Sequence, residues 1–121
     1  ILAGYMRILS ADFISKYSGK ILNIHPSLLP KFPGLNTHQR AIDASEKKHG
    51  ASVHFVTEEV DGGPVIAQQS VNIDSTDNPQ TLAKKVLEKE HVLYPKVIRW
   101  YTQGRLKLLN NKTVILDRKT I

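Results

Sequence analysis

Residues 20–34, KILNIHPSLLPKFPG, decide how the chain is organised, because a strand pattern gives way there to a loop pattern within one residue. The mainly apolar residues 20–25 predict a buried strand. Residues 26–35 predict a loop, since three of them are prolines, which lack an amide hydrogen and restrict the residue before them. Asn23 and His25 therefore stand at the end of a strand and beside a stiff loop.

The residues on either side of this stretch predict an alternation of strands and helices. Residues 1–5 form a short apolar run typical of a strand that is buried on both faces. A helix is predicted over 10–17, since a serine at its first position can cap it. A second helix is predicted over 37–49, with Gly50 as its C-terminal cap.

The second half of the chain predicts two strands, a long helix and a hairpin. The strand segments are rich in β-branched and aromatic residues, and an Asp-Gly-Gly-Pro turn lies between them. An asparagine cap followed by proline marks the start of the helix. These elements are strands over 51–57 and 65–73 with a turn at 61–64, a helix from Asn78 to Gly104, and a hairpin of residues 106–109 and 114–117.

This order of elements predicts the fold class. Helices alternate with strands early and give way to hairpins later, so we expect an α/β fold with a parallel sheet that becomes mixed and antiparallel toward the C-terminus. The 121 residues are enough for one domain, covering 1–121, but not for two. Ligands bind beyond the carboxyl ends of the strands in such sheets, which is where Asn23 and His25 lie.

Composition narrows the classes of function. With 40% hydrophobic and 23% charged residues, the chain resembles a folded protein, and no run approaches the roughly 20 apolar residues of a membrane span. The absence of cysteine excludes disulfides, thiolate metal sites and a cysteine nucleophile, and it fits a reducing cytoplasm. The net charge of +6 is spread out, whereas a nucleic-acid surface would need tighter clustering.

Asn23 and His25 are the pair that suggests chemistry. Residues two apart on a strand face the same way, so both side chains could donate to one oxygen. Acyl transfer needs such donors where negative charge develops, and histidine can also move a proton near neutral pH. A core histidine and an asparagine that caps a turn would show the same spacing, so the pair alone leaves both interpretations open.

Asp61 is the carboxylate that could complete this site. It begins the turn 61–64, which would hold the acid on a loop between two strands. A buried carboxylate beside His25 would favour the charged imidazolium. Asp-Gly-Gly is also a common turn, so a purely structural role for Asp61 stays open.

Three stretches together resemble the glycinamide ribonucleotide formyltransferase family, which uses 10-formyltetrahydrofolate. They are LAGYMRIL at 2–9, NIHPSLLPKFPG at 23–34 and GASVHFVTEEVDGGPVI at 50–66. The resemblance implies a three-layer, Rossmann-like formyltransferase fold with helices flanking the sheet. It also implies transfer of a formyl group from 10-formyltetrahydrofolate to the amine of 5'-phosphoribosylglycinamide in purine biosynthesis.

The same resemblance implies three sets of site residues. The catalytic residues would be Asn23, His25 and Asp61. The folate co-substrate would contact Met6, Arg7, Ile8, Leu9, Asn23, Thr57, Glu58, Glu59, Val60 and Asp61. The nucleotide substrate would contact Leu87, Glu88, Lys89 and Glu90, with Glu90 on its ribose hydroxyls.

The resemblance also sets expectations about what lies beyond the sequence and what binds it. We expect Ile1 to lie inside a longer protein, since family members begin with a strand and a glycine-rich loop for the substrate phosphate. Without those strands the sheet would have an open edge, which favours a homo-oligomer. The expected partners are small molecules in the cytoplasm, with no metal, nucleic acid or membrane.

Several alternatives share parts of this pattern. A formyltetrahydrofolate hydrolase usually resembles Asn-Ile-His-His where this chain has Pro26, and tRNA and sugar formyltransferases carry the same Asn-x-His and Asp residues. An inactive fragment that binds folate or acts as a basic module is a further alternative. Three other histidines show no metal-ligand spacing and are expected to be structural: His38, His49 and His54.

Overall fold

A four-stranded mixed sheet organises the chain. The computed structural model describes residues 2–3, 10–17, 19–59, 61–109 and 112–115. The strands, in their order across the sheet, are β1 (Leu2–Ala3), β2 (Leu22–His25), β3 (Lys48–Phe55) and β4 (Val65–Asn72). β1 and β2 are parallel, whereas β2–β3 and β3–β4 are antiparallel, which confirms the predicted change from parallel to antiparallel pairing.

The described ranges contain three helices beside the sheet, and the first and the third begin with a side-chain cap. The three helices are α1 (Ala11–Lys16), α2 (Thr37–Asp43) and α3 (Pro79–Thr102). The Ser10 hydroxyl accepts the backbone N–H of Phe13 at 3.2 Å, and the Asn78 side chain accepts that of Thr81 at 2.9 Å. The Thr81 hydroxyl in turn accepts the backbone N–H of Asn78, which completes a capping box. The helix starts predicted at Ser10 and Asn78 are thereby confirmed.

The helix predicted over 37–49 is wrong in its second half. α2 ends at Asp43, and residues 48–50 already belong to β3, so the strand predicted over 51–57 runs from Lys48 to Phe55. Gly50, the expected helix cap, lies inside the sheet, where a Cβ atom would overlap the carbonyl oxygen of Gln69 on β4. Pairing with β4 therefore overrides the local pattern, and the glycine serves the close approach of two strands rather than the end of a helix.

α3 packs along one face of the sheet and forms the apolar core with it. Leu22 and Ile24 of β2 and Val53 and Phe55 of β3 are buried on this face. The buried residues of α3 are Leu82, Val86, Leu93, Tyr94, Val97 and Trp100. Because successive side chains of a strand point to opposite faces, the residues between these, among them Asn23, face away from α3.

The C-terminal strands form a separate antiparallel pair. β5 (Leu106–Leu109) and β6 (Lys112–Ile115) confirm the predicted hairpin, although its second strand starts two residues earlier than expected. Residues 1, 4 and 5 of the predicted first strand, and residues 116 and 117 of the predicted hairpin, lie outside the described residues. None of the helices in the described ranges has the length and apolarity needed to cross a membrane.

The turn at 61–64 contains two neighbouring glycines, Gly62 and Gly63, whose substitution tests the fold. A Cβ atom at buried Gly63 would overlap the carbonyl oxygen of Phe55, which is backbone and cannot turn away. At exposed Gly62 it would meet only the side chain of Glu59. We predict that Gly63→Ala lowers the free energy of unfolding by about 1–3 kcal/mol or more, whereas Gly62→Ala changes it by less than about 1 kcal/mol. Urea unfolding of the two variants measures this, and equal losses would contradict the account.

Candidate active site

His25 ends β2 with an acceptor at each of its ring nitrogens. The side chain is 7% exposed, its Nε2 lies 2.8 Å from the carbonyl oxygen of Phe32, and its Nδ1 lies 3.4 Å from Oδ2 of Asp61. A carbonyl oxygen and a carboxylate oxygen only accept hydrogen bonds. The form that satisfies both contacts is therefore the imidazolium, which carries a proton on each nitrogen.

Asp61 links its own turn to the end of β2 and to the loop after that strand. Its Oδ2 accepts the backbone N–H of Gly34 at 2.8 Å in addition to its contact with His25, and its Oδ1 lies 3.6 Å from Nε2 of His54. The side chain is 12% exposed. Asp61 has a φ of 52°, a left-handed conformation that aspartate tolerates better than most residues. The predicted turn thus carries the carboxylate to His25, as expected.

His54 is a site residue that the sequence analysis did not identify. It is 2% exposed, and its Nδ1 lies 2.9 Å from the carbonyl oxygen of Phe55, so Nδ1 carries the proton. Burial lowers the pKa of His54, against smaller opposing contributions from the Phe55 carbonyl and from Asp61, and the ring is neutral at pH 7. Its Nε2 is then an acceptor, which receives the side-chain N–H of Asn23 at 3.3 Å.

This contact fixes the orientation of the Asn23 amide. One hydrogen of Nδ2 is directed at His54, and Oδ1 of Asn23 is buried with no hydrogen-bond partner in the structure. A buried polar atom without a partner typically costs about 1–3 kcal/mol. Asn23 therefore keeps one acceptor and the second hydrogen of Nδ2 for a ligand.

The loop after His25 has an uncommon backbone that presents two main-chain groups to the site. Phe32 has a φ of 52°, which costs a non-glycine residue about 1–2 kcal/mol, and Gly34 has a φ of 84°. Arg40 supports the loop, since its Nη1 donates to the carbonyl oxygen of Pro33 at 2.6 Å. The predicted loop is confirmed, and its functional groups are the Phe32 carbonyl and the Gly34 amide, which sequence patterns do not reveal.

Two further histidines, buried His49 and half-buried His38, form a pair behind this loop. Nε2 of His49 lies 3.1 Å from Nδ1 of His38, and His49 is 1% exposed. Burial, followed by the nearby His38 and His25, lowers the pKa of His49 to about 4, and burial also lowers that of His38. Both rings are neutral at pH 7. In the described part of the chain, no group of three or more His, Cys, Asp or Glu side chains could hold a metal ion.

Only some of the residues expected to contact the folate co-substrate lie in the described part of the chain. Thr57, Glu58 and Glu59 follow β3 on the loop that leads to Asp61, with Thr57 half-buried and the two glutamates exposed. The remaining residues of that set lie outside the described residues: Met6, Arg7, Ile8, Leu9 and Val60.

α3 brings Glu90 to the same end of the sheet as His25. The Tyr101 hydroxyl donates to the carbonyl oxygen of Gly19 at 2.9 Å, and the Tyr94 hydroxyl donates to that of Leu22 at 3.0 Å. α3 therefore runs antiparallel to β2, and Glu90, one turn before Tyr94, lies toward the carboxyl end of that strand.

Glu90 does not touch the three expected catalytic residues. It is half-buried, and burial raises its pKa. Among the described residues, no hydrogen bond or ion pair joins it to them, because α3 packs on the opposite face of the sheet. The neighbours expected to act with it, Leu87, Glu88 and Lys89, are exposed.

Comparison with known proteins relates this chain to the formyl transferases. Residues 1–98 match the family described as formyl transferase. The phosphoribosylglycinamide formyltransferase of Escherichia coli (strain K12) is 53% identical over 111 residues, which cover 92% of this chain and 52% of that protein. The solved phosphoribosylglycinamide formyltransferase of Coxiella burnetii is 50% identical with a TM-score of 0.89, over 93% of this chain and 53% of that one.

The chain is also similar to a solved protein whose name gives a different activity. A solved formyltetrahydrofolate deformylase from Pseudomonas syringae is 33% identical, with a TM-score of 0.87, over 93% of this chain and 38% of that one. The chain spans about half the length of the curated relatives it matches first, 52% and 57% of them. The predicted Rossmann-like formyltransferase fold is confirmed by these structures.

The His38–His49 pair predicts how stability depends on pH. The folded chain holds His49 neutral down to about pH 4, whereas the unfolded chain binds a proton near the ordinary value of 6.5. The unfolded state thus binds more protons below pH 6.5, and stability falls as pH falls from there toward 4, by at most about 1.4 kcal/mol per pH unit for each such proton. His49→Gln should flatten this slope in urea unfolding, whereas His91→Gln, at an exposed position on α3, should not. An unchanged slope in His49→Gln would contradict the assignment.

Proposed function

Because this chain belongs to the formyl transferase family, we propose that it carries the transfer centre of a phosphoribosylglycinamide formyltransferase. The reaction moves the formyl group of 10-formyltetrahydrofolate to the amine of 5'-phosphoribosylglycinamide, in the biosynthesis of purines. The observation that carries the proposal is the grouping of His25, Asp61 and Asn23, in which the Asn23 amide has an unpartnered buried oxygen.

Direct transfer fits these residues without a covalent intermediate on the protein. The substrate amine attacks the formyl carbon, and the electron pair of the C=O double bond moves to the oxygen. The His25 imidazolium and the second N–H of Asn23 stabilise that oxyanion. The intermediate then collapses, its bond to N10 of the folate breaks, and N10 takes a proton while the former amine loses one. His25, or a water held by Asp61, moves this proton.

The Phe32 carbonyl has a defined part in this scheme. In the structure it accepts the N–H at Nε2 of His25. The developing oxyanion is a stronger acceptor than a neutral carbonyl, so His25 can redirect this hydrogen toward it as charge builds up. Until then, the Phe32 contact keeps the donor oriented, and little reorganisation is needed at the moment of reaction.

Folate and nucleotide would lie on different sides of the catalytic trio, which consists of Asn23, His25 and Asp61. Thr57, Glu58, Glu59 and Val60, with Asn23 and Asp61, would line the folate side, together with Met6, Arg7, Ile8 and Leu9. There Arg7 would bind a carboxylate of the folate with two parallel hydrogen bonds. On the nucleotide side, Leu87, Glu88 and Lys89 would approach the ligand, and Glu90 would accept the ribose hydroxyls.

Small anionic substrates also account for the charge of the chain. The net charge of +6 favours a phosphate and carboxylates, and it requires neither nucleic acid nor an acidic membrane. We place the protein in the cytoplasm, with residues 1–121 in one domain, without a metal, and with a homo-oligomer as its expected assembly.

The trio is tested by substitution in the protein at its full encoded length. We predict that His25→Ala lowers kcat for formyl transfer by about 10²–10³-fold, the effect of losing one oxyanion donor. Asp61→Asn, which removes the carboxylate partner of His25, should lower kcat by a similar factor. The double variant should be little worse than the poorer single variant, because the two residues act as a unit. His91→Ala, exposed on α3, is the control.

Two measurements separate the outcomes of this experiment. Chromatography of the products distinguishes formylated glycinamide ribonucleotide from free formate, and formate alone would replace the transferase with a hydrolase. Binding of a folate analogue to His25→Ala should change far less than kcat, since the proposed role is exerted in the transition state. Near-normal turnover of His25→Ala would mean that the Asn-x-His pair is a structural strand end.

A further inference from the structure

A buried hydroxyl on β3 makes every hydrogen bond available to it. Ser52 is 0% exposed, and its Oγ donates to the carbonyl oxygen of Ser27 at 2.7 Å. The same oxygen accepts the backbone N–H of Leu29 at 3.0 Å and the side-chain N–H of Gln68 at 2.9 Å. A hydroxyl has one hydrogen and two lone pairs, so its capacity is filled.

The amide of Gln68 completes this network from β4. Its Nε2 donates to the carbonyl oxygen of Leu29 at 2.7 Å as well as to Ser52, which uses both of its hydrogens. Leu29 is therefore held at its N–H by β3 and at its carbonyl by β4. Within the loop, the Ser27 hydroxyl donates to the carbonyl oxygen of Lys31 at 2.6 Å, so the tethered segment is cross-linked up to the residue before Phe32.

This segment lies directly before the two main-chain groups of the candidate active site. The Phe32 carbonyl orients His25, and the Gly34 N–H orients Asp61. Phe32 has a left-handed backbone, which persists in a non-glycine residue only when its surroundings hold it there. In the described part of the chain, no hydrogen bond or ion pair joins the Gln68 or Ser52 side chain to His25 or Asp61. Gln68 therefore acts on them through the loop, and Ser52 is in addition the strand partner of His25 between β2 and β3.

We propose that Gln68 and Ser52 are positioning residues for formyl transfer, which set the Phe32 carbonyl and the Gly34 amide against His25 and Asp61. This inference rests on the proposed function. The residues act through hydrogen bonds that they donate and accept, and not through their size. A displaced loop leaves His25 and Asp61 present but misaligned, which lowers kcat more than it weakens substrate binding.

Variants at Gln68 separate hydrogen bonding from size. Gln68→Met keeps an unbranched chain of similar length without donors, and Gln68→Glu keeps the shape but directs acceptors at two oxygen atoms. Both should lower kcat by about 10–100-fold, with KM within about threefold of the unsubstituted value. Gln69→Met, the same substitution one residue along β4 and on the other face of the sheet, is the matched control and should leave kcat within about twofold.

Amide hydrogen exchange supplies a second readout that does not depend on activity. In Gln68→Met, the N–H of Gly34 should exchange at least about tenfold faster, while that of Val53 in the core of β3 should not change. Ser52→Ala combined with Gln68→Met should have a kcat close to that of the poorer single variant, because both act on one loop.

Each result decides the inference. It is overturned if both Gln68 variants retain kcat within about twofold of Gln69→Met, or if kcat falls without faster amide exchange at Gly34. It is also overturned if the amides of Gly34 and Val53 exchange faster by the same factor, because that would indicate a general loss of stability. An unsubstituted protein with no formyl transfer would instead refute the proposed function, and the exchange at Gly34 would still show whether Gln68 holds the loop.

Discussion

The arrangement of the polar residues on the face of the sheet away from α3 depends on the Asp61 carboxylate. This carboxylate faces the end of β2 through His25, the loop after that strand through Gly34, and β3 through His54. Because only 12% of the side chain is exposed, these contacts act in surroundings where a hydrogen bond is strong and an unmade one is costly. Through His25 and Gly34, one acid thereby links its own turn to the end of β2 and to the loop after that strand, without entering the apolar core.

The histidines around this acid differ through their partners and not through their residue type. His25 faces an acceptor at both nitrogens and can hold a proton on each without losing a contact. His54 donates to a carbonyl at one nitrogen and accepts from Asn23 at the other, and burial keeps it neutral. One ring can thus donate at both nitrogens and the other accepts at one, and their contacts determine which hydrogens remain for a substrate.

Local features of the sequence were enough to predict most of the elements. Caps at Ser10 and Asn78 satisfy backbone groups three residues away, and proline and glycine act on their own backbone or on the residue next to them. The strand that ends at His25, the loop after it, α3 and the hairpin followed from such signals. The three stretches that resemble a known family extended the prediction to the chemistry of Asn23, His25 and Asp61.

The sequence by itself therefore determined the α/β pattern, the helix starts and the Asn-x-His pair with a carboxylate in a turn. Only the tertiary structure decided that residues 48–50 belong to the strand that follows and not to the end of a helix, because β4 pairs along them. It also placed His54 opposite Asn23, 31 residues away, and Gln68 beside Ser52. Caps and turns act within a few residues and are visible in the sequence, whereas strand register depends on which distant segments bury their apolar faces together.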